Sequence, residues 1–210
     1  MRVRGLTNLA TAGLLLLQIG CAEKLQRGGF DRVSAGVTVR QLKGDHLGFR
    51  AKTTFPVAEI RATRKLTDNL DLSIRGQFTS GEVEAGHRTA REVLHGQGQG
   101  NFEGLGLILT YFPLKTRFIG GEIGIEAYRA EYDMRGWSGR RLVKQTIADR
   151  FWGGGVNLGL TGEIPLDQKE RWHFVWGGGY LFTATDARKA NVDLDGWYGT
   201  AAIQVSLSRK

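Results

Sequence analysis

Two stretches decide the reading: FWGGGVNLGL at residues 151–160 and VWGGGYLF at 175–182. Each sets a tryptophan before three glycines and then continues in β-forming residues. Glycine weakens a strand, because it loses more backbone entropy and brings no side chain to pack. A phosphate-cradling loop would need the glycines to open onto a helix N-terminus. WGGGVNLGL lacks the Lys-Ser/Thr pair of such a loop and runs on as alternating residues. The remaining reading is a strand with one face left bare.

Working outward, that alternation recurs along the chain, bounded by turn signals, and no long 3.6-residue period competes with it. Eight strands are expected, at about 31–41, 54–65, 70–79, 101–112, 117–131, 149–164, 171–184 and 195–208. Their connections alternate in length. LTDN (66–69), PLK (113–115) and PLDQKE (165–170) are short, whereas 42–53, 80–100, 132–148 and 185–194 are long and polar. Short turns at one end and long loops at the other are the layout of a transmembrane barrel.

The two faces differ in chemistry. One carries Leu105, Leu107, Leu109, Ile123, Ile125, Val156, Leu158 and Leu160. The other carries Arg32, Arg40, Glu59, Arg61, Arg75, Glu122 and Glu126. Unpaired charges cannot face lipid or a dry core cheaply. Both sets are satisfied when the aliphatic face meets lipid and the charges pair inside a narrow lumen. Trp152, Trp172, Trp176, Tyr180 and Trp197 then fall at the membrane interfaces. Gly104, Gly106, Gly120, Gly124, Gly153, Gly155, Gly177 and Gly179 line four consecutive strands on the lumen side. That bare wall leaves room for long charged side chains, or for a pocket.

The fold class is therefore an all-β, eight-stranded, antiparallel up-and-down transmembrane β-barrel. In architecture it resembles the small outer-membrane barrels of the outer-membrane protein A, X and W type, over about residues 30–208. The resemblance implies an outer-membrane location, periplasmic termini, external loops at 42–53, 80–100, 132–148 and 185–194, and a monomer. A lipocalin-like calycin is the alternative fold; the region 30–40 lacks its Gly-x-Trp motif.

The N-terminus reads MRVRGLTNLATAGLLLLQIGCAEK. Arg2 and Arg4 precede a short apolar run through Leu17, too short to span a bilayer, followed by small residues. This resembles a bacterial lipoprotein signal, which implies cleavage before Cys21 and lipidation there. Cleavage after Ala22 by ordinary signal peptidase is the alternative. The expected organisation is a signal peptide (1–20), a short periplasmic tether (21–29) and a barrel domain (30–210).

Composition removes several classes. The chain of 210 residues holds one cysteine, which excludes an internal disulfide framework. The formal charge of +8 admits nucleic acid or an anionic membrane surface. The cluster Arg135, Trp137, Arg140 and Arg141 lies in an external loop, where lipopolysaccharide phosphates are the anions at hand. No nucleic-acid partner is assigned.

The segment 80–100 holds His87, Glu92 and His95; Glu92 and His95 share one face if a short helical turn forms, which is loosely metal-like, but no third ligand stands out, and Asp193 with Asp195 is a fragment of a calcium pattern. No metal and no cofactor are assigned. An acyl hydrolase or transferase acting on lipid A would need a serine beside His173, and none is expected there. The function expected is non-enzymatic: structural, adhesive, or interaction through the loops. The alternative is a carrier binding a lipid or a small apolar ligand in the lumen.

Overall fold

A computed structural model describes Leu25 and residues 28–46, 49–88, 93–114, 116–138, 141–185, 191–193 and 195–207; at the outer ends of the long strands it describes the backbone. The strands are β1 (Arg32–His46), β2 (Phe49–Lys65), β3 (Leu70–Arg88), β4 (Val93–Tyr111), β5 (Gly120–Ser138), β6 (Arg141–Pro165), β7 (Trp172–Thr185), β8 (Asn191–Asp193) and β9 (Gly196–Ser206). Each pairs antiparallel with its neighbour. β1 pairs with both β2 and β9, which closes the sheet. The short β8 pairs with the outer part of β1 and continues the line of β9, so the barrel has eight staves.

Side chains alternate as a two-residue period requires. On β5, Gly120, Glu122, Gly124, Glu126, Tyr128 and Ala130 are buried, while Ile123, Ile125 and Ala127 between them are exposed. On β6 the outward set runs from Trp152, 62% exposed, through Val156, Leu158 and Leu160 to Ile164. At about 3.3 Å per residue and a tilt of about 40°, that belt stands roughly 30 Å tall. An outer-membrane barrel presents an apolar band of about 25 Å. The interior is the reverse of a soluble protein's, with arginine and glutamate inside and leucine and isoleucine outside.

Two expectations about the connections need correction. The segments read as long loops at 42–53, 80–100 and 132–148 are largely paired strand. β3 and β4 stay in register to Arg88↔Val93, and β5 and β6 pair as far as Ser138↔Arg141, across a register shift near Arg135 and Trp137. Part of the fourth segment, 191–193, is strand as well. The fifth strand begins at Gly120 rather than 117, and Arg117 sits in the preceding turn at a φ of 54°.

The long strands outrun the barrel wall. β2 and β3 pair only up to Ala58↔Phe78, and β6 and β7 only from Gly153↔Thr185 inward. Beyond those points β3, β4, β5 and β6 continue together as a four-stranded sheet. From Trp152 to Arg141 this sheet adds roughly 35 Å of strand. Among the described residues, its two lateral strands, β3 beyond Phe78 and β6 before Gly153, have no paired neighbour on their outer sides.

Candidate functional site

The lumen is built in layers, ordered by the inward residues of β5. Nearest the short turns, Arg32 donates to Glu163 at 2.7 Å and to Asp71 at 2.5 Å. Arg117 reaches the same two carboxylates from the turn between β4 and β5, with Nε 3.0 Å from Glu163 and a second bond to Asp71. Its guanidinium lies 4.0 Å from the centre of the Phe112 ring. Two arginines and two carboxylates thus close this mouth as a neutral square.

The next layer centres on Glu59 and Glu122. Arg61 bonds Glu59 at 3.0 Å and Glu122 at 3.3 Å. Tyr198 donates to Glu122 at 2.6 Å and accepts from Asn157 at 3.3 Å. Glu59 also accepts from Thr38 at 2.6 Å and from Gln77 at 2.8 Å.

Above it, Arg40 grips Glu126 with both terminal nitrogens at 2.7 Å, and Arg75 adds a bond of 2.5 Å to the same carboxylate. Gln77 accepts from Arg40 at 2.5 Å. Bidentate guanidinium–carboxylate pairs of this kind are among the stronger protein hydrogen bonds.

An apolar layer follows toward the outer end. Phe102 stacks on Tyr128, centroids 5.8 Å apart, and meets Phe55 edge-on at 6.0 Å. Val57, Ala130 and Leu181 complete it. The guanidinium of Arg40 sits 5.3 Å from the Phe102 ring centre, joining the charged layer to the aromatic one.

All seven charged residues singled out for the lumen lie inside it, buried and ion-paired. Three further members, Asp71, Glu163 and Arg117, complete the set. Guanidiniums at Arg32, Arg40, Arg61, Arg75 and Arg117 face carboxylates at Glu59, Asp71, Glu122, Glu126 and Glu163, so the charges balance. The alternation of the sequence already puts Asp71 and Glu163 on the same face as the other inward charges, and both are buried. Arg117 left no such signal, since its turn conformation is rare outside glycine and asparagine.

The glycines face aromatic rings more often than arginines. A Cβ on Gly153 would overlap the Tyr128 ring, and one on Gly120 would come within 2.7 Å of Phe112. Gly179 lies against the Tyr198 hydroxyl, and so does Gly159 on the neighbouring strand. Gly104 carries Phe102 at 3.3 Å from its notional Cβ, Gly155 carries Leu181 at 3.1 Å, Gly124 carries Asn157, and Gly177 meets Thr161 at 3.4 Å. Of these glycines, Gly106 alone lies beside an arginine, with Arg75 Nε at 3.7 Å. The wall is bare because planar side chains from adjacent positions lie across it. This is the packing of an aromatic over a facing glycine in a sheet.

Among the described residues the lumen holds a cavity of about 10 Å³. Small-molecule sites occupy about 300–1,000 Å³. On the outside, Gly121 leaves a shallow open groove of about 340 Å³ among Leu109, Tyr111, Ile123 and Leu158.

Most of the other singled-out residues have side chains outside those described. Cys21 and Arg140 lie outside the described residues, and Arg135, Trp137 and Arg141 are described as backbone in β5 and β6. The same holds for His87, His95 and Asp193, while Glu92 is outside altogether. Asp195 accepts from Tyr180 at 3.2 Å. His173 is on the lumen side of β7, and the hydroxyl of Ser206 bonds the Glu170 carbonyl instead of it.

No protein-family model and no curated protein matches the chain. Among solved structures it is similar to the outer membrane protein OprG of Pseudomonas aeruginosa, with a TM-score of 0.52 and 14% identity over 86% of this chain and 97% of that one. It is also similar to Ail, the attachment invasion locus protein of Yersinia pestis, solved in complex with the heparin analogue sucrose octasulfate. There the TM-score is 0.51 and the identity 10%, over 84% of this chain and 98% of that one. At these identities the likeness establishes the fold: the chain is a closed, eight-stranded antiparallel β-barrel.

Proposed function

We propose that the protein is a non-enzymatic outer-membrane barrel that holds a projecting β-sheet outside the cell for contact with an external partner. The observation that carries this reading is the four-stranded extension of β3 to β6, mounted on a barrel whose described lumen is packed. A sheet edge without a neighbour offers a row of backbone donors and acceptors, and edge addition is a common mode of peptide recognition. The apolar belt, its aromatic borders and its height support insertion in a membrane. The signal-like N-terminus supports export, with lipidation of Cys21 as the tether in the periplasmic leaflet. The basic residues Arg135 and Arg141 belong to the same projecting end and add attraction for anions such as lipopolysaccharide phosphates.

The test is attachment by cells displaying the full chain, compared with a variant in which residues 82–99 are replaced by a two-residue Asn-Gly turn between the paired Gly81 and Gly100. Loss of attachment to host-cell surfaces, with the heat-dependent gel shift of the barrel kept, supports the reading. Equal attachment by both forms refutes it.

A further inference from the structure

The charged layers of the lumen do not meet without a gap. Between the square of Arg32, Arg117, Asp71 and Glu163 and the layer of Arg61 lies the cavity of about 10 Å³. Asp71 and Gln204 line it from β3 and β9. Each is deeply buried, at 2% and 3% exposure, and each carries one polar atom without a protein partner: Oδ1 of Asp71 and Nε2 of Gln204. One is an acceptor and the other a donor. Thr63, Ser73 and Thr110 line the same space, with the Thr63 and Ser73 hydroxyls bonded to each other at 2.9 Å.

We propose that this cavity is a binding site for a single water molecule, which donates to Asp71 Oδ1, accepts from Gln204 Nε2 and so joins β3 to β9 across the lumen. Size and charge select the ligand. A cavity holds one water at about 10–15 Å³ when two to four polar groups converge on it, and a larger solute does not fit. A cation is disfavoured because both carboxylates at the site are already neutralised by Arg32 and Arg117. An anion is disfavoured because Arg61, the remaining cation on the wall, is held by Glu59 and Glu122. A neutral molecule that both donates and accepts matches the two orphaned atoms, each of which would otherwise carry a desolvation penalty.

A crystal structure of the detergent-solubilised full chain, at a resolution that shows ordered solvent, tests this. The expected result is one density peak within about 3.2 Å of both Asp71 Oδ1 and Gln204 Nε2. The Gln204→Leu variant is expected to lose that peak. A direct Asp71–Gln204 bond, or no peak between them in the unsubstituted protein, overturns the proposal, and that result stands even when the variant does not fold. An unchanged peak in a folded Gln204→Leu protein overturns the role of Gln204.

Discussion

Tyr128 and Gly153 face each other across β5 and β6, and the tyrosine ring occupies the space where a side chain at 153 would begin. The pairing turns the puzzle of a glycine run inside a strand into a packing requirement. Gly153→Ala is expected to cost about 1–3 kcal/mol, the range for overpacking a filled interior. Gly121→Ala is the contrast. A Cβ there meets nothing within 4 Å, so the change is expected to be neutral or stabilising by about 0.4–1 kcal/mol. Urea unfolding from lipid vesicles, followed by tryptophan fluorescence, distinguishes the two.

Glu126 holds both Arg40 and Arg75. Glu126→Gln leaves two buried guanidiniums sharing a neutral partner, and the expected loss is about 3–5 kcal/mol, as for a buried pair broken from one side. Asp68→Asn breaks the exposed Lys65–Asp68 pair, and its effect is expected to stay within about 0.5 kcal/mol. The same urea titration measures both, and equal effects would mean that the lumen network is solvated.

Leu158 lies midway along the outward belt of β6, at 47% exposure, between Trp152 and Ile164. An arginine at that depth in a bilayer costs about 2–4 kcal/mol. Leu158→Arg is therefore expected to lower stability in vesicles by that amount. A substitution at this exposed position without effect would place the belt in water.

Stacked ion pairs and the Phe102–Tyr128 layer obstruct the lumen. The purified protein in planar bilayers is expected to show no discrete conductance steps. Regular steps at neutral pH would contradict the packed interior.

The barrel wall was legible because an aliphatic outer face and a charged inner face impose a two-residue alternation, clearest in EIGIEAY (122–128). The projecting sheet was not. A sheet segment that extends past the closed barrel has no interior to separate one face from the other, so GHRTAREVLHGQGQG (86–100) shows no apolar alternation and reads as loop. The inward aromatics were hidden differently. Phe102, Phe112, Tyr128 and Tyr198 sit in lumen parity among polar neighbours, while the aromatics assigned by hydropathy were the outward ones. Matching their parity to Glu122 and Glu126 would have placed them against the glycines. The role of Arg117 depends on a turn conformation that no residue pattern announces.

The central claim is that the aliphatic face meets lipid and carries the projecting sheet on a membrane-spanning barrel. The most direct measurement dilutes the urea-unfolded chain into buffer with and without phospholipid vesicles, then reads vesicle flotation and gel mobility before and after boiling. The account predicts a folded species that floats with vesicles and shifts on boiling, with aggregation where lipid is absent. A folded, monodisperse monomer in lipid-free, detergent-free buffer would contradict it.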